Sequence, residues 1–275
     1  MPGEDADAAL RAAASFQREG IATLLTMLGE NVTQIAEADE VAEQYLALLE
    51  RIAAERLDAE ISLKLTQLGL DLDVERTFAH AKRLADRAAA TGKTVWLDME
   101  GSAYTEITIA FYERLHRAKA NTGLCLQAYL RRTAADLERL LPLRPAIRLV
   151  KGAYAEPATI AFQDKLDVDR SYTSLAVRML DAAKTTPGVR IALGTHDVRL
   201  VGEIAAQAQA RGVPRSAFEI EMLYGIRVDE QRRLAREGFV VRDLISYGTA
   251  WYPWYMRRLA ERPANVVFVL RQLLP

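Results

Sequence analysis

One cysteine, three histidines and almost no net charge set the first limits on this chain of 275 residues. A lone Cys125 excludes an internal disulfide and any multi-thiolate metal centre, and reads as a packing residue. With three histidines, no HExxH spacing and no paired cysteines, a transition-metal site made by the protein is not expected. Thirty-six Lys plus Arg against thirty-seven Asp plus Glu leave a net charge of −1, without the one-sided field of a nucleic-acid binder. The longest charge-free stretch, residues 244–256, has thirteen residues, short of the roughly 20 that cross a bilayer. Residues 1–7 are acidic and no apolar signal core follows, so a cytoplasmic location is expected and any membrane association would be peripheral. Without a secretory signal, the glycosylation-like Asn31-Val-Thr33 carries no meaning. Also missing is Gly-x-Gly-x-x-Gly, the phosphate-binding turn of a Rossmann sheet. The Gly92-Lys93-Thr94 tripeptide precedes a strand instead of following one, and Arg87 stands where a phosphate loop needs glycine. No Pro-rich linker, low-complexity tract or further repeat marks a second domain.

What the chain does have is half its residues apolar, arranged as short β-rich runs that alternate with longer segments of helical periodicity. Eight strands are predicted, at 21–27, 61–68, 95–99, 123–129, 147–153, 189–195, 218–223 and 240–247. Residues 41–50 and 78–90 read as helices with one buried face. Eight βα units at about 34 residues each suit one closed (βα)8 barrel, of α/β class, over residues 1–275. Such a count leaves only a short helical extension before the first strand.

In a barrel of this kind chemistry gathers at the carboxyl ends of the strands. Lys64, Asp98, Gln127, Arg148 and Lys151 interrupt core-like strand sequence. A single charge of this sort is ordinarily a rim residue or half of an ion pair. Polar residues on four strands together change that reading: alternate residues of a barrel strand point inward, so charges from several strands can converge on one cavity, where unpaired burial would be too costly without partners or a ligand. His80 and His116 fall on amphipathic helices, where surface or boundary positions are expected, whereas His196 ends a strand and can meet a ligand. After the eighth strand a helix is expected near Trp251, carrying the adjacent Arg257 and Arg258 among aromatic residues. Two guanidinium forks suit a small carboxylate, and aromatic rings suit a roof over an apolar ring.

Five ordered segments are informative together: Ser62-Leu-Lys-Leu-Thr-Gln-Leu-Gly-Leu-Asp71, Arg148-Leu-Val-Lys-Gly-Ala-Tyr154, Gly194-Thr-His-Asp197, Phe218-Glu-Ile-Glu-Met-Leu-Tyr-Gly225 and Trp251-Tyr-Pro-Trp-Tyr-Met-Arg-Arg-Leu259. With them the sequence, from about Leu28 onward, resembles monofunctional bacterial proline dehydrogenase. The resemblance implies a distorted (βα)8 barrel with a C-terminal helix bearing the arginine pair, and noncovalent FAD at the carboxyl ends of the strands. It implies oxidation of L-proline to Δ1-pyrroline-5-carboxylate, with electrons passed to a quinone. Arg257 and Arg258 then match the clamp on the proline carboxylate, Lys64 a further cation, Glu30 a carboxylate that pairs with the first arginine on closure, and Tyr154 and Leu223 the substrate wall. Asp98 is expected to orient Lys64 and the arginines, and Arg148 to stand by the flavin N5 and pyrimidine edge. Met99, Gln127, Lys151, Gly152 and Ala153 match flavin contacts, and Thr195 with His196 match contacts nearer the adenine half. The chain departs from the family's usual pattern at Leu244, where tyrosine is customary, at Ser246 (proline), at Glu221 (glutamine) and at Trp254 (tyrosine). Two other classes fit a polar barrel mouth: a Schiff-base aldolase using Lys64 or Lys151 as nucleophile, and a flavin-binding scaffold without turnover, for which Leu244 and Glu221 speak. The appended aldehyde dehydrogenase and DNA-binding regions of bifunctional relatives are not expected.

Overall fold

A computed structural model describes residues 1–251. Eight parallel strands close into a barrel in chain order: β1 (Ala22–Met27), β2 (Ala59–Leu63), β3 (Val95–Leu97), β4 (Thr122–Gln127), β5 (Ala146–Val150), β6 (Arg190–Gly194), β7 (Phe218–Leu223) and β8 (Val240–Tyr247). Closure runs from Ala22 opposite Arg242 to Met27 opposite Tyr247. Nearly every strand residue is buried, because helices cover the outside of the sheet and side chains fill its inside. The covering helices are α1 (Ala6–Arg18), α2 (Ile35–Ala54), α3 (Val74–Ala89), α4 (Thr105–Ala118), α5 (Thr133–Leu140), α6 (Lys165–Thr185), α7 (Val198–Ala210) and α8 (Val228–Arg236). Asp5, Asp73, Asp164 and Asp197 start four of them, each side chain accepting an otherwise unmade backbone hydrogen bond. Among the described residues no helix is long and apolar enough to cross a membrane.

The α1 helix precedes the first strand and packs against β1 and β8, burying Ala9, Leu10, Ala13 and Phe16 in the outer groove where the barrel closes. Three apolar clusters result, the smallest being Tyr129, Leu130 and Ala161 beneath the loop after β5. The largest lies between sheet and helices, and a small one, with Leu24, Trp96, Ala146 and Ala192, lies inside the barrel.

Several strands end earlier than their sequence suggests. After Leu63 the chain turns into a short 3-10 segment at Thr66–Leu68, where Glu100 accepts hydrogen bonds from the Thr66 amide and hydroxyl. Beyond Val150, Gly152 takes a φ of +115° that ends the extended backbone. Lys64, Asp98 and Lys151 therefore begin loops instead of lying within strands. The histidine expectation also needs correction: His80 and His116 are both buried. The ring of His80 meets Asp39 at 2.9 Å, and His116 stacks on Tyr112 and meets the Leu143 carbonyl at 3.1 Å. Each ring thus has polar partners inside the helix layer, which a helical periodicity cannot reveal.

Candidate active site

At the carboxyl ends of the strands a cavity of about 530 Å³ opens. Its floor is built by inward residues of the barrel. Arg148 of β5 is buried, and its Nη2 donates to Asp98 Oδ1 and, at 2.9 Å, to Ser62 Oγ, which itself donates to Asp98 at 2.7 Å. Its Nη1 lies 3.4 Å from Oε2 of Glu221 on β7. Burial works against the guanidinium charge, but the carboxylate of Asp98 outweighs it and holds the group above its ordinary range. Arg148 is therefore a fixed cation under an open cavity.

The walls come from the loops that follow each strand. Lys64, Met99, Gln127, Lys151, Gly152, Ala153, Tyr154, Thr195, His196 and Leu223 all line the cavity, together with Asp98 and Arg148. Lys64 ion-pairs with Glu30 at 3.9 Å. This arrangement differs from the expectation for Asp98, whose hydrogen bonds go to Arg148 and Ser62 and not to Lys64. Arg257 and Arg258, and the helix expected to carry them, lie outside the described residues.

Lys151 reaches between α6 and α7, donating to Asp169 and, at 3.1 Å, to Asp197. Burial opposes the charge of Asp169, but Lys151 and Lys165 hold its carboxyl below the usual range. An amine nucleophile must be free to reach a carbonyl carbon, and Lys151 is instead held by two carboxylates in the wall. The Lys151 aldolase reading is thus unsupported. His196 Nε2 accepts the Leu223 amide at 2.9 Å, tying the loop after β6 to the end of β7 and fixing the ring.

Sequence reasoning passed over several residues that hold the site together. Ser62 stands two positions before Lys64 on the same inward face, a spacing that was readable. Glu100 was not, since its work is to fix Thr66, whose Oγ1 accepts from the Asn31 amide at 3.2 Å and so sets the loops carrying Lys64 and Glu30. Asp169 lies on a helix with no local signal.

The cavity fits a planar, hydrogen-bonding organic group. Gln127 Oε1 and Glu221 Oε1 are buried with no hydrogen-bond partner among the described residues, which leaves polar capacity for a ligand. Gly152 lies against the Tyr129 ring, where an added Cβ would come within 2.2 Å of Cδ1. Backbone there lines the cavity directly.

Comparison with known proteins agrees with this geometry. The profile of the proline dehydrogenase family matches residues 9–271. Proline dehydrogenase 1 of Bacillus subtilis is 37% identical over 274 residues, covering 100% of this chain and 89% of the relative. A proline dehydrogenase of Deinococcus radiodurans is 37% identical over 279 residues, covering 100% of this chain and 88% of the relative. Among solved structures, the proline utilization A protein of Bdellovibrio bacteriovorus, inactivated by N-propargylglycine, superposes with a TM-score of 0.86. At 22% identity over 94% of this chain and 32% of that one, it speaks for the barrel alone.

Proposed function

The chain belongs to the proline dehydrogenase family, an oxidoreductase family of proline catabolism, and on that premise we propose that it oxidises L-proline to Δ1-pyrroline-5-carboxylate with FAD, passing the electrons to a quinone. The observation that carries this reading is the buried Arg148, locked by Asp98 and Ser62 beneath a cavity whose floor still holds unpartnered polar atoms. When bound, FAD supplies the two-electron acceptor for hydride leaving the carbon beside the secondary amine.

The protein's own part is orientation and charge. Arg148 stabilises negative charge on the ligand above it, and it does so without rearranging, since Asp98 and Ser62 already fix its fork. Gln127, with Met99 and the Lys151–Ala153 backbone, would hold the flavin ring, and Thr195 with His196 its more distant half. Lys64 would meet the substrate carboxylate, with Glu30 as the counter-charge that keeps its ammonium in place. Tyr154 and Leu223, which line the cavity, would form the wall that excludes water from the reacting carbon. Arg257 and Arg258 are assigned to the carboxylate clamp.

The test is anaerobic addition of L-proline to the FAD-loaded protein. Bleaching of the flavin absorbance is expected, and an unchanged spectrum at saturating proline would overturn the reading. Replacing Arg257 or Arg258 by Met should raise the proline KM by about tenfold or more, as loss of a charge-assisted hydrogen bond implies, while flavin content changes little. Unaltered proline affinity in both variants refutes the clamp.

A further inference from the structure

Four carboxyl groups and three guanidiniums occupy the interior of the barrel. Towards its amino end the count is even. Arg190 donates to Glu60 at 2.8 and 3.0 Å and also to Glu219, while Arg242 donates to Glu219 at 2.9 Å. One layer up, Arg148 alone faces two carboxyls. Its stronger contacts go to Asp98, and Glu221 receives only the long 3.4 Å contact at one oxygen. The other oxygen, Oε1, has no partner among the described residues, although Glu221 is only 4% exposed.

Among the described residues no other facing group supplies the missing charge. From β4, Cys125 is a buried thiol held neutral, and from α6, Tyr172 is a buried phenol. On its own strand Glu219 adds repulsion, and the attraction of Arg242 on β8 and Arg190 on β6 is shared with Glu60 and Glu219. Across the cavity, Lys64 is committed to Glu30 and Lys151 to Asp169 and Asp197. A bare carboxylate in such a place carries a large desolvation cost with half of its hydrogen bonding unmade. Burial accordingly raises the Glu221 carboxyl against the opposing pull of Arg148.

We propose that Glu221 stands in the barrel as the neutral acid, and that its O–H donates into the cavity to an acceptor atom of the ligand bound beside Arg148. Asp98 remains the anion that fixes Arg148, so the two carboxyls divide their work. The proton itself is argued from this chain's residues alone, whereas naming the acceptor as an edge of the flavin ring rests on the reading above. On this view Glu221 supplies a neutral donor, but one that alkali can remove.

Infrared difference spectroscopy of the unmodified protein against Glu221→Gln, each with and without added flavin, tests the proton. A protonated-carboxyl C=O band present at neutral pH and lost in the variant is expected, with Glu221→Asp shifting the band. No such band overturns the proposal. FAD titrations of the apoprotein across pH test the donor. Binding to the unmodified protein should weaken by about tenfold per pH unit once the proton is lost, while Glu221→Gln stays flat. Equal pH slopes in both proteins refute the donor role. Failure of either protein to bind FAD would instead sink the flavin reading and leave the infrared band to decide the proton.

Discussion

Residue-scale chemistry in this protein turns on carboxyls that differ by their surroundings. Burial opposes ionisation of Glu60 too, yet Arg242, Arg190 and the Trp96 N–H hold it down at about 2. Asp243 is the opposite case. It faces outward from β8 under the helices, accepts one hydrogen bond from Gln231 at 2.9 Å, and burial pushes it from 3.8 to about 8. An acid raised in this way binds a proton in the fold that the unfolded chain releases. Stability is therefore lost as pH rises between 3.8 and about 8, by up to about 1.4 kcal/mol per pH unit from this group. Asp243→Asn should remove that slope, so that its Tm relative to the unmodified protein climbs from pH 5 to pH 8. A constant Tm difference would contradict it. The cavity residues Lys64, Asp98, Arg148 and Lys151 were legible in the sequence because charge within an apolar run is conspicuous. Partners such as Asp169 and Glu100 were not, since they meet the site only through folding.

Among elements, the strand order was legible and the strand ends were not. Periodicity shows where apolar sequence runs, but what stops a strand is local: the Glu100 contacts to Thr66, or the φ of Gly152. The loop between β5 and α6 depends on the latter. Glu156 clasps it to the loop after β3, accepting the Ser102 amide at 2.7 Å and the Ser102 hydroxyl at 2.5 Å. Gly152→Ala would strain a φ of +115° and drive a methyl into the Tyr129 ring. A backbone strain of about 1–3 kcal/mol is expected to appear as a lower ratio of flavin to protein after purification, with the barrel's circular dichroism kept. Full flavin content would show that this loop does not shape the pocket. Helix α1 shows the limit of counting: the eight units were predicted, but not that the helix ahead of them covers the seam between β8 and β1.

At the scale of the whole molecule, a nearly neutral composition conceals a charged interior. Trp96 lies between the layers, its ring centroid 5.4 Å from the Arg148 guanidinium carbon and 5.1 Å from that of Arg190. Below it the Glu60, Arg190, Glu219 and Arg242 lattice fills the amino end. Breaking a buried network by removing one member is costly, about 3–5 kcal/mol, and Arg190→Met is expected to lower Tm accordingly while leaving ligand affinity in the surviving fold unchanged. A variant as stable as the parent would mean that the lattice is dispensable. Among the described residues the amino end is filled by ionic side chains, and the cavity opens at the other. On the proposed reading reductant and oxidant would share that mouth and take turns at the threshold, an excess of either slowing the other's visit.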